Sequence, residues 1–239
     1  MGKTEKAKTS ELRHALNHYI GILVGLLMSN IPHENLCMID IGAFDGRETS
    51  QFIDLHPGST AHAIEPCPVN ADYIRQKNTD GVQVHEMAIA GKNGEVCLYV
   101  GQIKKYGELG LSSQSNSLCK GLGGMINNHT VPALTLDCFC DVNNIERIDL
   151  LDINCEGSEF YILGGEQPVH ALDRVNVIDL SLHGKYKQFL TSKMTRRKLD
   201  INRKLKSRGF KLMYGHDLLN MKKIPTGHMQ QIWARSRML

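Results

Sequence analysis

The sequence predicts an α/β fold, a mostly parallel sheet with helices on both faces. Three observations predict it. Strand-like and helix-like segments alternate along most of the chain, the pattern that gives parallel strands joined by crossover helices. Ile148 to Asn154 and Val175 to Leu182 are near-continuous apolar runs, as expected of strands covered on both faces. The stretch Met38-Ile39-Asp40-Ile41-Gly42-Ala43-Phe44-Asp45-Gly46, followed by Ala61-His62-Ala63-Ile64-Glu65-Pro66, reads as strand, glycine-bearing turn, helix and a second strand ending in an acid.

The elements follow in order. Residues 1–9 form a charged tail, and a helix over about 11–29, with Ser10 as its N-cap, covers one edge of the domain. These make residues 1–30 a tail and covering helix, and 31–239 the main domain. Strand one is Leu36 to Ile41. The helix after Gly46 stops before the Pro57-Gly58 turn signal. Strand two is Thr60 to Ile64, and Pro68 opens a helix with body Val69 to Lys77. Strand three is Val82 to Glu86. Asn93-Gly94 suggests a hairpin turn between Met87–Ala90 and Val96–Val100. Residues 106–130 are rich in Gly, Ser and Asn, and a loop of that length in a compact domain is usually functional. Around Gly107 to Thr130 it is expected to cover the acceptor. Strands four and five are the two apolar runs. A basic helix spans roughly Ser192 to Ser207, and Phe210–Tyr214 with Gln230–Ala234 closes the sheet as an antiparallel pair.

Composition bounds the function. At 239 residues, with 41% hydrophobic and 22% charged residues, the chain suits one large globular domain. Its net charge of +3 does not by itself argue for nucleic acid. Seven cysteines with no C-x-x-C pair read as reduced thiols of a cytoplasmic protein, not a disulfide frame or zinc site. The apolar run Tyr19 to Met28 is too short to span a bilayer, which takes about 20 residues. No signal-peptide cleavage pattern follows it. Lys6 stands where a myristoylation signal needs Ser or Thr.

The first turn carries the chemistry. A dinucleotide site uses this order of elements, with glycine allowing close approach and the second-strand acid holding ribose hydroxyls. Here Asp40 and Asp45 sit in or beside the turn, where a pyrophosphate wants bare backbone N–H groups. S-adenosylmethionine has no phosphate and carries a sulfonium and an ammonium, so an acid-bearing turn suits it.

Five motifs in order carry a family resemblance. They are Ile39 to Gly46, Glu65-Pro66-Cys67-Pro68-Val69-Asn70, Val84 through Gly94, Val131 to Asp137, and Leu150-Leu151-Asp152-Ile153-Asn154-Cys155-Glu156-Gly157-Ser158-Glu159. Between Met38 and His183 the chain resembles the FkbM family of S-adenosylmethionine-dependent methyltransferases. The resemblance implies a Rossmann-like class I methyltransferase fold, with a mostly parallel seven-stranded sheet in the order 3-2-1-4-5-7-6. It implies a cofactor site on Asp40, Gly42, Ala43, Asp45 and Gly46, on Glu65 and Pro66 for the ribose, and on Met87 and Ala88 for the adenine. Two positions depart from the family pattern: Asp152 stands for the usual Lys, and Asn154 for the usual Asp.

Ligands of open α/β sheets bind beyond the carboxyl ends of the strands. That rule collects Asn154 and Glu156 after strand four and His183 after strand five as candidate catalytic residues. Attack by an alcohol needs a base, and His183, with an ordinary pKa of about 6.5, is the first choice. Glu156 is the second choice; its bland alternative is a first-turn helix acid. Asn154 can exchange hydrogen bonds but cannot take a proton at neutral pH. A divalent ion on Asp152, Asn154 and Glu156 is the weaker reading, beside a plain pairing of Asp152 with a basic residue. From Lys185 to Arg208 there are ten Lys or Arg and one acid, Asp200. This run reads as the solvated face of a helix buried through Met194, Ile201 and Leu205, or as contact with an anionic acceptor. RNA is the weaker alternative, because no aromatic residues interleave the charges. The expected activity is O-methylation of a small hydroxylated acceptor, a sugar or secondary metabolite, with anionic and glycosylated acceptors included. An RNA methyltransferase and a non-catalytic cofactor-binding relative are the alternatives.

Overall fold

A computed structural model describes residues 23–31, 34–101, 111–112, 116–119, 125–165, 168–183, 192–214 and 228–238. The expected N-cap at Ser10 and the first turns of its helix lie outside these residues. Helical residues 23–29 lead into β1 (Cys37–Ile41), α1 (Arg47–Leu55), β2 (Thr60–Ile64), α2 (Pro68–Lys77) and β3 (Val82–His85). Then come β4 (Ala88–Ile89), β5 (Gly94–Gly101), β6 (Met125–Leu134), α3 (Leu136–Val142), β7 (Ile148–Ile153) and α4 (Glu159–Ile162). The chain closes with β8 (Val175–His183), α5 (Ser192–Ser207), β9 (Phe210–Tyr214) and β10 (His228–Arg235).

Seven strands form one sheet in the order β3-β2-β1-β7-β8-β10-β9. Numbered within that sheet alone, this is 3-2-1-4-5-7-6. β1, β2, β3, β7 and β8 run parallel, and β10 is antiparallel to both its neighbours.

Alternation along the central strands divides the core. Ile39, Ile41, Leu151, Ile153, Ile178 and Leu180 pack with Phe139 of α3, Phe160 of α4, and Ile201 and Leu205 of α5. Met38, Leu150 and Val177 point the other way, onto Leu27, Met28, Ile31 and Phe52. Each such apolar side chain stabilises the fold by about 1.5–3 kcal/mol when fully buried.

The expected hairpin around Asn93-Gly94 does not form. β6 lies between its two arms, parallel to β4 and antiparallel to β5, in a separate three-stranded sheet. Residues 125–130, read from sequence as part of a loop, are the first part of β6. Their run Met125-Ile126-Asn127-Asn128-His129-Thr130 is too polar to signal a strand. Pro132 further disguises it, since proline is rare in a central strand. The structure admits it because β4 pairs only with Ala133 and Leu134, so at Pro132 β6 is an edge on that side.

Among the described residues no helix is long and apolar enough to cross a membrane. All seven cysteines are free thiols.

Candidate active site

The site is built where β1, β2 and β7 end. β1 runs into a sharp turn at Gly42, which adopts φ +96°. A Cβ at Gly42 would meet the carbonyl oxygen of Asn154 at 2.3 Å. Asn154 N donates to Ile41 O at 3.0 Å, so the turns after β1 and β7 are laced together at backbone level. The requirement for glycine at Gly42 thus comes first from this backbone contact. Gly46 is likewise a packing glycine: at φ +67°, a Cβ there would meet the Ile74 side chain of α2 at 2.8 Å.

Glu65, at the end of β2, organises the turn. Its carboxylate accepts from Phe44 N at 3.0 Å and from Cys67 N at 2.8 Å. The group is 4% exposed. Burial pushes its pKa up to about 7, against the pull of those two backbone N–H groups and Asn70. A carboxylate still raised after three hydrogen bonds has room to gain from further donors. Glu65 lines an open pocket with Gly42, Phe44, Pro66, Met87, Ala88 and Ile89 on one side, and Asn154, Glu156 and Ser158 on the other.

Part of the segment that its length and its Gly, Ser and Asn content marked out lies over the pocket. Asn116, Ser117 and Leu118 lie against it. Ser112 N donates to Asn70 Oδ1 at 2.8 Å, and Ser117 Oγ donates to the carbonyl oxygen of Glu156. Ser117 is also bridged to Tyr99 of β5, so the small sheet carries the cover. The rest of the expected cover, apart from residues 125–130, lies largely outside the described residues.

His183, the last residue of β8, stands behind Glu156. Its Nδ1 lies 2.6 Å from Glu159 Oε1, and its Nε2 lies 3.5 Å from Glu156 Oε1. Glu159 is fully buried, and its Oε1 also accepts from Cys155 N at 3.2 Å. An ionised Glu159 fixes the imidazole proton on Nδ1 and leaves Nε2 to accept a proton on the side of Glu156. Burial pulls the His183 pKa down, but the hydrogen bond and charge of Glu159, with the charge of Glu156, leave it raised. Burial also raises the Glu156 carboxyl, partly offset by His183. Glu156 adopts φ 51°, a left-handed conformation that costs about 1–3 kcal/mol in a residue other than glycine. Glu159 was visible in the sequence only as the last residue of the fifth motif. Its role depends on its reaching a strand end 24 residues away.

Other expected site residues are placed differently. Asp45 is ion-paired with Arg47 at 2.9 Å, so it adds less negative field to the turn than the sequence suggests. Asp40 does not share its side of the sheet with Ile41. It points with Met38 to the opposite face, in register with Asp152 and, through it, with Asp179. Asp40 Oδ2 is buried and has no hydrogen-bond partner among the described residues. Burial and the neighbouring acids push Asp40 and Asp152 well above the ordinary carboxylate range. Asp179 is raised to about 6, restrained by Gln230. The suggested basic partner of Asp152 is not found among the described residues. Among them, too, no group of three His, Cys, Asp or Glu is placed to hold a metal ion. Ala43 is buried against Ala63 and Ile74, not on the pocket wall.

The basic helix α5 is only partly a solvated face. Ile201 and Leu205 are buried as expected, while the Met194 side chain lies outside the described residues. Lys198, read from sequence as solvated, is 1% exposed. Lys204 donates to the carbonyls of Leu163 and Gly165, Arg203 pairs with Asp200, and Arg208 pairs with Asp173.

This sheet order, with a pocket over the ends of β1, β2 and β7, defines a Rossmann-like fold of the class I methyltransferase type. The model of the Methyltransferase FkbM domain matches residues 40–212, and the chain belongs to that family. A curated relative is 2-O-methyltransferase NoeI of Sinorhizobium fredii (strain NBRC 101917 / NGR234), 27% identical over 150 residues, 58% of this chain and 60% of that protein. The match therefore spans about three-fifths of that relative's length. Among solved structures, a candidate rRNA-methylase from Clostridium thermocellum superposes with a TM-score of 0.50 at 8% identity, covering 90% of this chain and 94% of that one. That likeness bears on the fold alone.

Proposed function

We propose that the chain is an S-adenosylmethionine-dependent methyltransferase that methylates a hydroxyl group of a small acceptor, such as a sugar or secondary metabolite. The observation that carries this reading is the placement of His183. It is a histidine held by a buried carboxylate, with its Nε2 3.5 Å from Glu156, a residue that lines the pocket. The donor set fits the cofactor. Glu65 can accept from ribose hydroxyls, and Met87, Ala88 and Ile89 offer an apolar wall to an adenine. When bound, S-adenosylmethionine supplies the electrophilic methyl group. The chain's own residues do the rest. Asn154 and Glu156 border the pocket on the β7 side and can hydrogen-bond the acceptor or the cofactor's ammonium. His183 Nε2 takes the hydroxyl proton as the oxygen attacks, and Glu159 stabilises the imidazolium. Asn116 to Leu118 shield the pocket from water.

A hydroxyl acceptor agrees with the 2-O-methyltransferase activity in the name of the curated relative. RNA is less well supported, because Lys198 is buried and Lys204 and Arg208 are engaged within the protein. Seven free thiols suit a reducing compartment such as the cytoplasm.

Calorimetry with S-adenosylmethionine and NAD, followed by turnover on a panel of hydroxylated acceptors, tests the reading. Binding of NAD in place of S-adenosylmethionine would reject the cofactor. Tight donor binding without turnover on any acceptor would favour a non-catalytic relative. Steeply salt-dependent RNA binding would favour an RNA substrate.

A further inference from the structure

Glu65 is tied to the cover through one side chain, that of Asn70. Asn70 sits in the first turn of α2, which Pro68 opens, and is 1% exposed. Its Nδ2 lies 3.5 Å from Glu65 Oε1, a long bond, and its Oδ1 accepts from Ser112 N at 2.8 Å. Ser112 is buried, and its Oγ accepts from Asn116 Nδ2 at 3.2 Å. Asn116 Oδ1 in turn accepts from Gly101 N of β5 at 3.2 Å. A chain of hydrogen bonds thus runs from the carboxylate at the end of β2, along the pocket wall, to the small sheet that carries the cover. Glu65, Asn70 and Asn116 all line the pocket.

We propose that Asn70 is a positioning residue that couples the ribose end of the donor pocket to the cover, holding Glu65 with its amide N–H and Ser112 with its carbonyl oxygen. The two partners fix the sense of the bridge. A backbone N–H only donates and a carboxylate only accepts, so the group between them must do both, as an amide does. Glu65 also lets the bridge respond to a ligand. Its two oxygens offer about four acceptor sites, of which Phe44 N, Cys67 N and Asn70 Nδ2 take three. A second ribose hydroxyl therefore competes for the site that Asn70 holds at 3.5 Å, the longest of the three bonds. Asn70 Nδ2 can then donate to the oxygen of that hydroxyl while the hydroxyl donates to Glu65. Ser112 follows the amide, because a buried N–H that loses its acceptor is costly. In the sequence Asn70 is only the last residue of the second motif, and its partner Ser112 lies 42 residues away.

The inference rests on the reading of Glu65 as the ribose acceptor, and its test separates the two. Amide hydrogen exchange is measured on the whole protein, free and with S-adenosylhomocysteine, the demethylated product of the donor. In the free protein, Asn70→Ala should speed exchange of the Ser112 amide roughly two- to tenfold, the range for one lost hydrogen bond, with exchange in β7 and β8 unchanged. Glu65→Ala, which does not touch Ser112, should speed it in the same direction. In wild type the ligand should slow exchange at Ser112 and Ser117 as well as at Phe44 and Cys67. In Asn70→Ala the slowing at Phe44 and Cys67 should persist, and the slowing at the cover should be lost. Asn70→Asp keeps the acceptor and loses the donor. Its Ser112 amide should stay protected in the free protein and gain nothing from the ligand, and this variant carries the test should Asn70→Ala not fold. An unmoved Ser112 amide in folded Glu65→Ala, or equal slowing at the cover in wild type and the Asn70 variants, overturns the proposal. Absence of binding to wild type by calorimetry rejects the donor reading, and the free-protein comparison with Glu65→Ala then decides whether Asn70 joins the two.

Discussion

His183 and Glu159 are joined at 2.6 Å between Nδ1 and Oε1, one at the end of β8 and the other in the first turn of α4. That contact turns a strand-end histidine into an oriented one. His183→Ala should lower turnover about a hundred- to ten-thousand-fold with donor affinity nearly unchanged, the usual range for a general base. The rate should rise with pH through the His183 pKa, which lies above the ordinary 6.5. Steady-state kinetics on the active acceptor checks both. Unchanged turnover would pass the base role to Glu156.

Glu65 should control donor binding and its pH dependence. Glu65→Ala should weaken S-adenosylmethionine by about 1.5–3 kcal/mol, as for loss of a charged hydrogen bond. Hydroxyl donors favour the ionised carboxylate, and the free group sits at about 7. Binding should therefore strengthen as pH rises from 6 to 8 and lose that dependence in Glu65→Gln. Calorimetry across that range decides.

Gly42→Ala should destabilise the protein as well as impair binding. The added Cβ meets a backbone oxygen at 2.3 Å, and φ +96° is strained for any other residue. A loss of at least about 2 kcal/mol in denaturant unfolding is expected. Unchanged stability with abolished binding would return the glycine to the ligand alone.

Asp152 stands in register between Asp40 and Asp179, and all three have raised pKa values. Asp152→Asn should stabilise the fold at pH 7 by roughly 1 kcal/mol, and the gain should fade in acid as the carboxyls take up protons. Thermal melts at pH 7 and pH 4 test this. A loss of stability at pH 7 would mean that the row holds a cation.

His62 Nδ1 lies 3.0 Å from His85 Nε2, and both rings pack edge-on against Phe139. Burial, with the neighbouring His85, drives His62 down to about 4. The unfolded chain binds a proton there near 6.5, so this site's contribution to stability is complete above that pH and is lost as pH falls toward 4. The raised aspartates act in the opposite sense. The readout is therefore the difference between wild type and His62→Phe: wild type should lose more stability between pH 7 and 5. Parallel losses would show that the pair does not titrate on unfolding.

Local sequence was enough for the large sheet. Apolar runs at Ile148 and Val175, turn signals at Pro57-Gly58, and Pro68 at a helix start act within a few residues, so they can be read without the fold. Glu65 was legible for the same reason, as an acid closing a strand after a glycine turn. β6 was not, because a polar strand with an internal proline is stable only between two partners that the fold supplies. Nor were the surroundings of Gly42, Asp40, Lys198 and Glu159. Asn154 decides what Gly42 can tolerate, and the register of β1 with β7 and β8 sets three acids side by side. Folding carries one lysine out of a basic run and buries it. Sequence by itself determined which elements form and which residue types end the strands. Only the tertiary structure decided which charged groups share a dry space, because desolvation and Coulomb energy depend on distances between atoms that lie far apart along the chain.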